Sequence, residues 1–337
     1  MNFLVIGLGS MGKRRIRCLK ALSYTNIAGF DHREDRRNEA QNKYGIKIFS
    51  DLKTAVTVWK PDAFIISVPP DVHHVYMKKA IEYKIPFFVE ASVMNTDMDL
   101  IIEGVKKHDL IAAPSATAYF HPAVKIISDI LKNGELGKIS NIIFHCGQYL
   151  PDWHTYEHVR DYYVSNPATG GAREIVPFEM TWITLLFGFP KRVCGNFRKT
   201  INIEGAEQIE DTYNCLLDYG NFLASVTVDV VSRHATRRLL INGDKQQIVW
   251  DWDDGYVKCF DPEKNEWLKR PYEMQNVQSG YNDNIGENHY TEEIKSFIDS
   301  IQGKENFINT LERDNKVLKL LYLIEDADKK SQFMDFE

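Results

Sequence analysis

The 337-residue chain has no run approaching the roughly 18 consecutive apolar residues of a membrane-spanning helix, so none is expected. It lacks a basic surplus: 41 Lys and Arg stand against 47 Asp and Glu, a formal net charge of −6, which argues against nucleic acid as a partner. Cysteine is sparse. The five residues Cys18, Cys146, Cys194, Cys215 and Cys259 lie far apart with no CxxC pair, which excludes a disulfide scaffold or a zinc cage and implies reduced thiols. Repeats and low-complexity tracts are also missing. The early apolar stretch, residues 2–6, is too short for a secretory leader, so a cytoplasmic protein is expected.

What is present is the composition of ordinary globular domains, 44% hydrophobic, 26% charged and 12% aromatic, in a chain long enough for two of them. Over the first 115 or so residues a short apolar run, a turn and an amphipathic helix follow one another repeatedly. Strands are expected at 3–6, 26–30, 63–68, 86–89 and 110–113, with helices at 10–22, 33–44, 71–83 and 96–108. Strands separated by helix-length intervals require crossover connections, hence a doubly wound parallel sheet. Beyond Pro114 the pattern becomes α+β. A helix opens at His121-Pro122, and several alternating segments between residues 191 and 269 predict a mostly antiparallel sheet. Helices are expected to close the chain at 288–301 and 309–327. The expected division is residues 1–117 and 118–337. The basic run Lys13, Arg14, Arg15 and Arg17 reads as a solvated helix face.

Gly7-Leu8-Gly9-Ser10-Met11-Gly12 is a GxGxxG between an expected strand and an expected helix. Glycines there permit a tight turn, close approach of backbone to a diphosphate, and close packing of helix on strand. The helix N-terminus then offers N–H groups to the phosphates. Asp31, at the end of the second strand, is placed to accept hydrogen bonds from an adenosine ribose, with His32 and Arg33 beside it. Its carboxylate repels a 2′-phosphate and favours NAD, while Arg33, Arg36 and Arg37 keep NADP as the alternative.

Along nearly its whole length the chain resembles the Gfo/Idh/MocA family of NAD(P)-dependent oxidoreductases. The likeness rests on GLGSMGKRR at 7–15, SVPPDVHH at 67–74, VEAS at 89–92, FHPAVK at 120–125, NGELGKI at 133–139, TGGARE at 169–174 and ENHYTEEIKSFIDSI at 287–301. It implies an N-terminal Rossmann domain and a C-terminal α+β domain with a large open sheet that often mediates oligomers, here a homodimer or homotetramer. It also implies a sugar, cyclitol or nucleotide-sugar substrate. By position it places Val68, Pro69, Pro70, His73, Glu90 and Ala91 against the cofactor. For His73 a helix-surface histidine is the alternative.

Two departures stand out. The family's Glu-Lys-Pro is Glu90-Ala91-Ser92 here, so the lysine that assists proton transfer is missing. The second-domain signature GGGxxxDxGxH is altered over 170–178: aligned backward from Gly188, Glu174 falls at the family's aspartate and Phe178 at its histidine, whereas an ungapped forward alignment puts Val176 and Met180 there, and under either the histidine is lost. Hydride transfer from an alcohol carbon needs a base within reach of the hydroxyl. Glu174 is the first candidate, with Arg173 as a substrate anchor or, alternatively, as its salt-bridge partner at a helix start. The aromatic, polar stretch 152–163 supplies His154 and His158 as further proton acceptors and Arg160 and Tyr162 as substrate contacts. Tyr119, at the family's start of the second domain near the cleft, is a further candidate substrate contact. His154 and His158 are four residues apart, a spacing metal ligands use on a helix, but with no third ligand evident no metal is expected. The expected activity is hydride transfer at a hydroxyl-bearing carbon of a sugar, sugar phosphate or nucleotide sugar. The alternatives are an NAD-retaining glycosidase or epimerase, or a dinucleotide-binding protein without catalysis.

Overall fold

A strand apolar at every position has no face to offer water, and Phe3–Ile6 is accordingly buried along its whole length. In the computed structural model, which describes residues 1–153, 157–273 and 286–336, this is β1. It is followed by α1 (Ser10–Ala21), β2 (Ile27–Phe30), α2 (Glu34–Tyr44), β3 (Lys47–Phe49), α3 (Leu52–Trp59), β4 (Ala63–Ile66), α4 (His73–Tyr83), β5 (Phe87–Val89), α5 (Met98–Lys107) and β6 (Ala112–Pro114). All pairings are parallel, in the order β3-β2-β1-β4-β5-β6. The order reverses between β1 and β4. That switch point opens a crevice beyond the carboxyl ends of the strands, where ligands of such sheets bind. Edge strand β3 and helix α3 add to the expected pattern; a strand of only three residues, with Lys47 exposed and Phe49 buried, carries too little periodicity to stand out.

The later elements are α6 (Pro122–Lys132), β7 (Ile139–Gly147), α7 (Ala172–Phe187), β8 (Arg192–Arg198), β9 (Thr212–Asp218), β10 (Leu223–Asp229), β11 (Thr236–Gly243), β12 (Gln247–Asp251), β13 (Tyr256–Asp261), β14 (Glu266–Pro271), α8 (Asn288–Ile301), α9 (Leu311–Lys330) and β15 (Met334–Asp335). Nine strands form one sheet, β14-β13-β12-β11-β7-β10-β9-β8-β15, antiparallel except where β7 and β10 run together. Along β7, Ile142, Phe144 and Cys146 are buried, and Phe144 meets Trp182 of α7 edge-on at 5.2 Å. On the other face Ile143 is 50% exposed, as are Leu216 and Leu223 to similar degrees. The expected α/β architecture, a parallel Rossmann sheet followed by an α+β region with a mostly antiparallel sheet, is the one observed.

The chain divides into two units, Met1–Thr117 with Glu287–Lys316, and Ala118–Gly286 with Val317–Glu337. A single cut after residue 117 therefore misplaces α8. This helix joins the first unit because Glu293 pairs with Arg15 of α1 and Phe297 packs on Phe88 of β5 at 6.0 Å. The same contacts correct the reading of the basic run as a solvated face. Arg14 and Arg15 are buried, and Arg14 and Arg17 both bind Glu287, an acid 270 residues further along the chain. No described helix is long and apolar enough to cross a membrane.

Candidate functional site

In the first unit the glycine loop joins β1 to α1. Gly7 has φ +90°, and a Cβ there would stand 2.5 Å from the Ser67 carbonyl oxygen. A Cβ on Gly12 would stand 1.8 Å from the Gly7 carbonyl oxygen, so this turn of α1 packs where no side chain fits. Gly9 differs: its nearest neighbour would be Nη1 of Arg36 at 3.3 Å, the mobile end of a side chain. Gly9 is also the N-cap of α1 and provides no side-chain cap, so the positive end of the helix dipole faces outward from the loop. Leu8 is fully buried, while Ser10 and Met11 are half-buried at the helix start. The cradle fits the diphosphate of a dinucleotide.

Asp31 ties this loop to β2. Its Oδ2 accepts from the Leu8 N–H at 2.7 Å and its Oδ1 from the Arg33 N–H at 2.9 Å, and each oxygen retains a second lone pair for a ribose hydroxyl. The neighbouring bases are engaged within the unit. Arg33 pairs with Asp35, and Arg37 donates to the carbonyls of Asp31 and His32. His32 is exposed, with Nε2 3.1 Å from the Tyr76 hydroxyl.

Val68 and Pro69 follow β4, and Pro70 begins a short 3-10 turn. His73 is not on the helix surface but 2% exposed, and its Nε2 lies 2.8 Å from the Val68 carbonyl oxygen, so it donates there as a neutral ring and pins the loop. Burial pushes its pKa down to about 4. Glu90, at the end of β5, turns its carboxylate onto Arg15, with Nε 2.7 Å from Oε1 and Nη2 2.8 Å from Oε2. It therefore presents backbone rather than an open acid, and Ala91 beside it is half-buried.

In the second unit Glu174 lies in the first turn of α7. Its Oε1 accepts from the Tyr163 hydroxyl at 2.5 Å, while Oε2 is buried with no hydrogen-bond partner among the described residues. Burial lifts its pKa to about 8, against a lowering by the Tyr163 hydrogen bond. A carboxyl at that value exchanges its proton near neutral pH, as a general acid or base must. Arg173 does not pair with Glu174: its Nε binds Glu325 at 2.6 Å and its Nη1 the Ala168 carbonyl at 2.6 Å.

Of the stretch 152–163, His154 lies outside the described residues. His158 is exposed and caps a short turn, its Nδ1 accepting from the Arg160 N–H at 3.4 Å. Arg160 is exposed, 3.5 Å from Glu204. Tyr162 is half-buried, edge-on to Tyr163, and Tyr119 packs edge-on against Phe120. His121 caps α6, accepting from the Ala123 N–H at 3.2 Å and stacking on Trp252; burial, reinforced by Arg237, lowers its pKa to about 3.

A cleft at the ends of β7, β10 and β11 is lined by Cys146, Gln148, Trp153, Asp229, Arg237 and Trp252, among others. Arg237 lies 4.2 Å over the Trp252 ring, and its Nη2 binds the fully buried Glu179 at 2.6 Å. Asp229 accepts from His145 at 2.7 Å and from the Ser232 N–H at 2.8 Å. Sequence reading missed Asp229, Arg237 and Trp252, because they come from separate segments of the sheet with no motif in common. Ile175, next to Glu174, also lines the cleft.

Two family models match. One described as an oxidoreductase family with an NAD-binding Rossmann fold covers residues 1–103, and one described as a GFO/IDH/MocA C-terminal domain covers residues 124–249. A curated relative, myo-inositol 2-dehydrogenase of Thermotoga maritima, is 28% identical over 142 residues, a match spanning 41% of this chain and 42% of that one. Levoglucosan dehydrogenase in complex with NADH and levoglucosan superposes with a TM-score of 0.86 at 14% identity, over 100% of this chain and 99% of the other. Myo-inositol 2-dehydrogenase from Lactobacillus plantarum gives 0.83 at 16% identity, over 100% and 99%. At these identities the solved structures establish the fold.

Proposed function

Since the chain belongs to the GFO/IDH/MocA family of NAD-binding oxidoreductases, we propose that it moves a hydride to or from a hydroxyl-bearing carbon of a sugar, sugar phosphate or nucleotide sugar. The observation that carries this reading is the glycine cradle, closed by Asp31 and too tight at Gly7 and Gly12 for any side chain. NAD, when bound, supplies the hydride acceptor or donor. Asp31 favours NAD over NADP, and the engagement of Arg33 and Arg37 within the unit supports the same preference.

Glu174 takes the hydroxyl proton in oxidation and returns it in reduction, with Tyr163 holding its Oε1. This assigns to α7 the proton transfer for which the residue after Glu90, an alanine, has no group. The cleft beside Ile175 offers two aromatic walls, a guanidinium and a carboxylate, a set suited to a polyhydroxylated ring. The named relatives, dehydrogenases of myo-inositol and levoglucosan, support that substrate class. The uncovered sheet face around Ile143, Leu216 and Leu223 supports a homodimer or homotetramer, which sedimentation would check.

The test is incubation of the purified chain with NAD and a panel of sugars, sugar phosphates and nucleotide sugars. Net coenzyme reduction on one of them is the expected result. Conversion of a sugar with no net coenzyme change would instead mark transient oxidation, and coenzyme binding without conversion a binding protein. Glu174→Gln is expected to abolish turnover and spare NAD affinity; near-normal turnover in that variant rejects Glu174 as the proton acceptor.

A further inference from the structure

The basic run of α1 contributes a buried cation that the proposed reaction does not use. Arg15 has no exposed surface, and its guanidinium lies 4.5 Å from the Phe88 ring centre. It holds Glu90 through two nitrogens and Glu293 of α8 through Nη1 at 2.8 Å. Glu90 also accepts from the Ser67 hydroxyl at 3.0 Å. Glu293 accepts from the Ser115 hydroxyl at 3.0 Å, the Ala116 N–H at 2.6 Å and the Thr117 hydroxyl at 2.7 Å. One guanidinium thus reaches, through two acids, the residues that follow β4, β5 and β6.

Stability alone does not account for such a cluster. Two carboxylates and one guanidinium taken out of water are costly, and well-packed apolar side chains of similar volume commonly serve as well or better. Its location is informative. Asp31 follows β2, on one side of the switch point between β1 and β4, and that is where the adenosine ribose belongs. The other nucleotide of a dinucleotide then runs over the carboxyl ends on the opposite side, the strands to which Arg15 is tied.

Resting on the reading that this unit binds NAD, we propose that Arg15 is a positioning residue for the nicotinamide half. Through Glu90 and Glu293 it fixes the backbone after β4, β5 and β6, the floor on which that half lies. The turn after Glu90 is itself fixed, with the Ser92 hydroxyl 2.9 Å from the Met94 carbonyl oxygen.

The test compares NADH with ADP-ribose, which lacks the nicotinamide ring, by calorimetry on the full chain. Arg15→Met would leave two buried acids facing each other and endanger folding, so the informative variants are Ser67→Ala and Glu293→Gln, each first shown to be folded by its melting transition. NADH affinity is expected to fall about tenfold while ADP-ribose affinity stays within about twofold of the wild type. Equal losses for both ligands, or unchanged NADH affinity in both variants, would overturn the proposal. A wild-type chain that binds neither ligand defeats the NAD reading itself, a result separate from any difference among variants.

Discussion

Tyr163 donates its hydroxyl hydrogen to Oε1 of Glu174 at 2.5 Å, and this bond offsets part of the rise that burial imposes on the carboxyl. Glu174 must be ionised to accept a proton. The rate of sugar oxidation is therefore expected to climb with pH and level off above about 8. Tyr163→Phe removes the lowering influence and should move the midpoint upward, which a pH–rate profile of the two proteins would reveal. Coincident profiles would contradict this arrangement.

The same carboxyl sets a pH dependence of folding. Its native pKa, about 8, lies above the ordinary value of 4.5, so its contribution is complete below the ordinary value and is lost as pH rises through about 8. Urea unfolding should show the wild type weakening between pH 6 and pH 9 by on the order of a few kcal/mol. Glu174→Gln should lack that component and overtake the wild type in stability at the alkaline end.

The two glycines that bracket the start of α1 should respond differently to alanine. At Gly12 the added carbon would meet backbone at 1.8 Å, so Gly12→Ala is expected to cost at least about 3 kcal/mol in urea unfolding. At Gly9 the neighbour is a side-chain tip 3.3 Å away, which can move. Gly9→Ala should melt close to the wild type and yet bind NADH at least about tenfold more weakly, because the diphosphate loses its close approach to the backbone.

Asp31→Asn keeps one acceptor oxygen where the native residue has two, so the variant can hold the Leu8 N–H or the Arg33 N–H but not both in the native manner. It also removes the charge that repels a 2′-phosphate. NADH binding is expected to weaken about tenfold, with a smaller loss for NADPH, and paired titrations would measure the ratio. An unchanged ratio would show that Asp31 does not set the preference.

Removing Arg237 leaves Glu179 fully buried without the cation that its Oε1 binds, though Oε2 still accepts from Trp182 at 2.7 Å. Arg237→Leu is expected to destabilise the chain by about 3–5 kcal/mol in urea unfolding. Arg237→Lys, which keeps the charge but not the planar two-nitrogen contact, should lose less.

Much of the first unit was legible because its central strands β1, β2, β4 and β5 are buried along their whole length and helices separate them at regular length. The glycine loop and Asp31 could be read from spacing alone, since the turn, the helix start and the end of β2 are local features. His73 was harder. Its place at the head of α4 is local, but its burial follows from the return of the chain over Val68. The basic run misled for the same reason, because periodicity weighs a residue against its neighbours in sequence, and the acids that bury Arg14 and Arg15 stand 75 or more positions away.

From its sequence alone this chain determined a parallel nucleotide-binding sheet, a second and mostly antiparallel sheet, and a phosphate cradle. Each of these depends on short-range periodicity or on glycines needed at fixed offsets. Only the tertiary structure decided that α8 closes the first unit, that Arg15 faces two acids, that Glu174 is raised by burial, and that Arg237, Asp229 and Trp252 share one cleft. Those outcomes depend on desolvation and on charges brought together from distant segments, and neither quantity exists until the chain has folded.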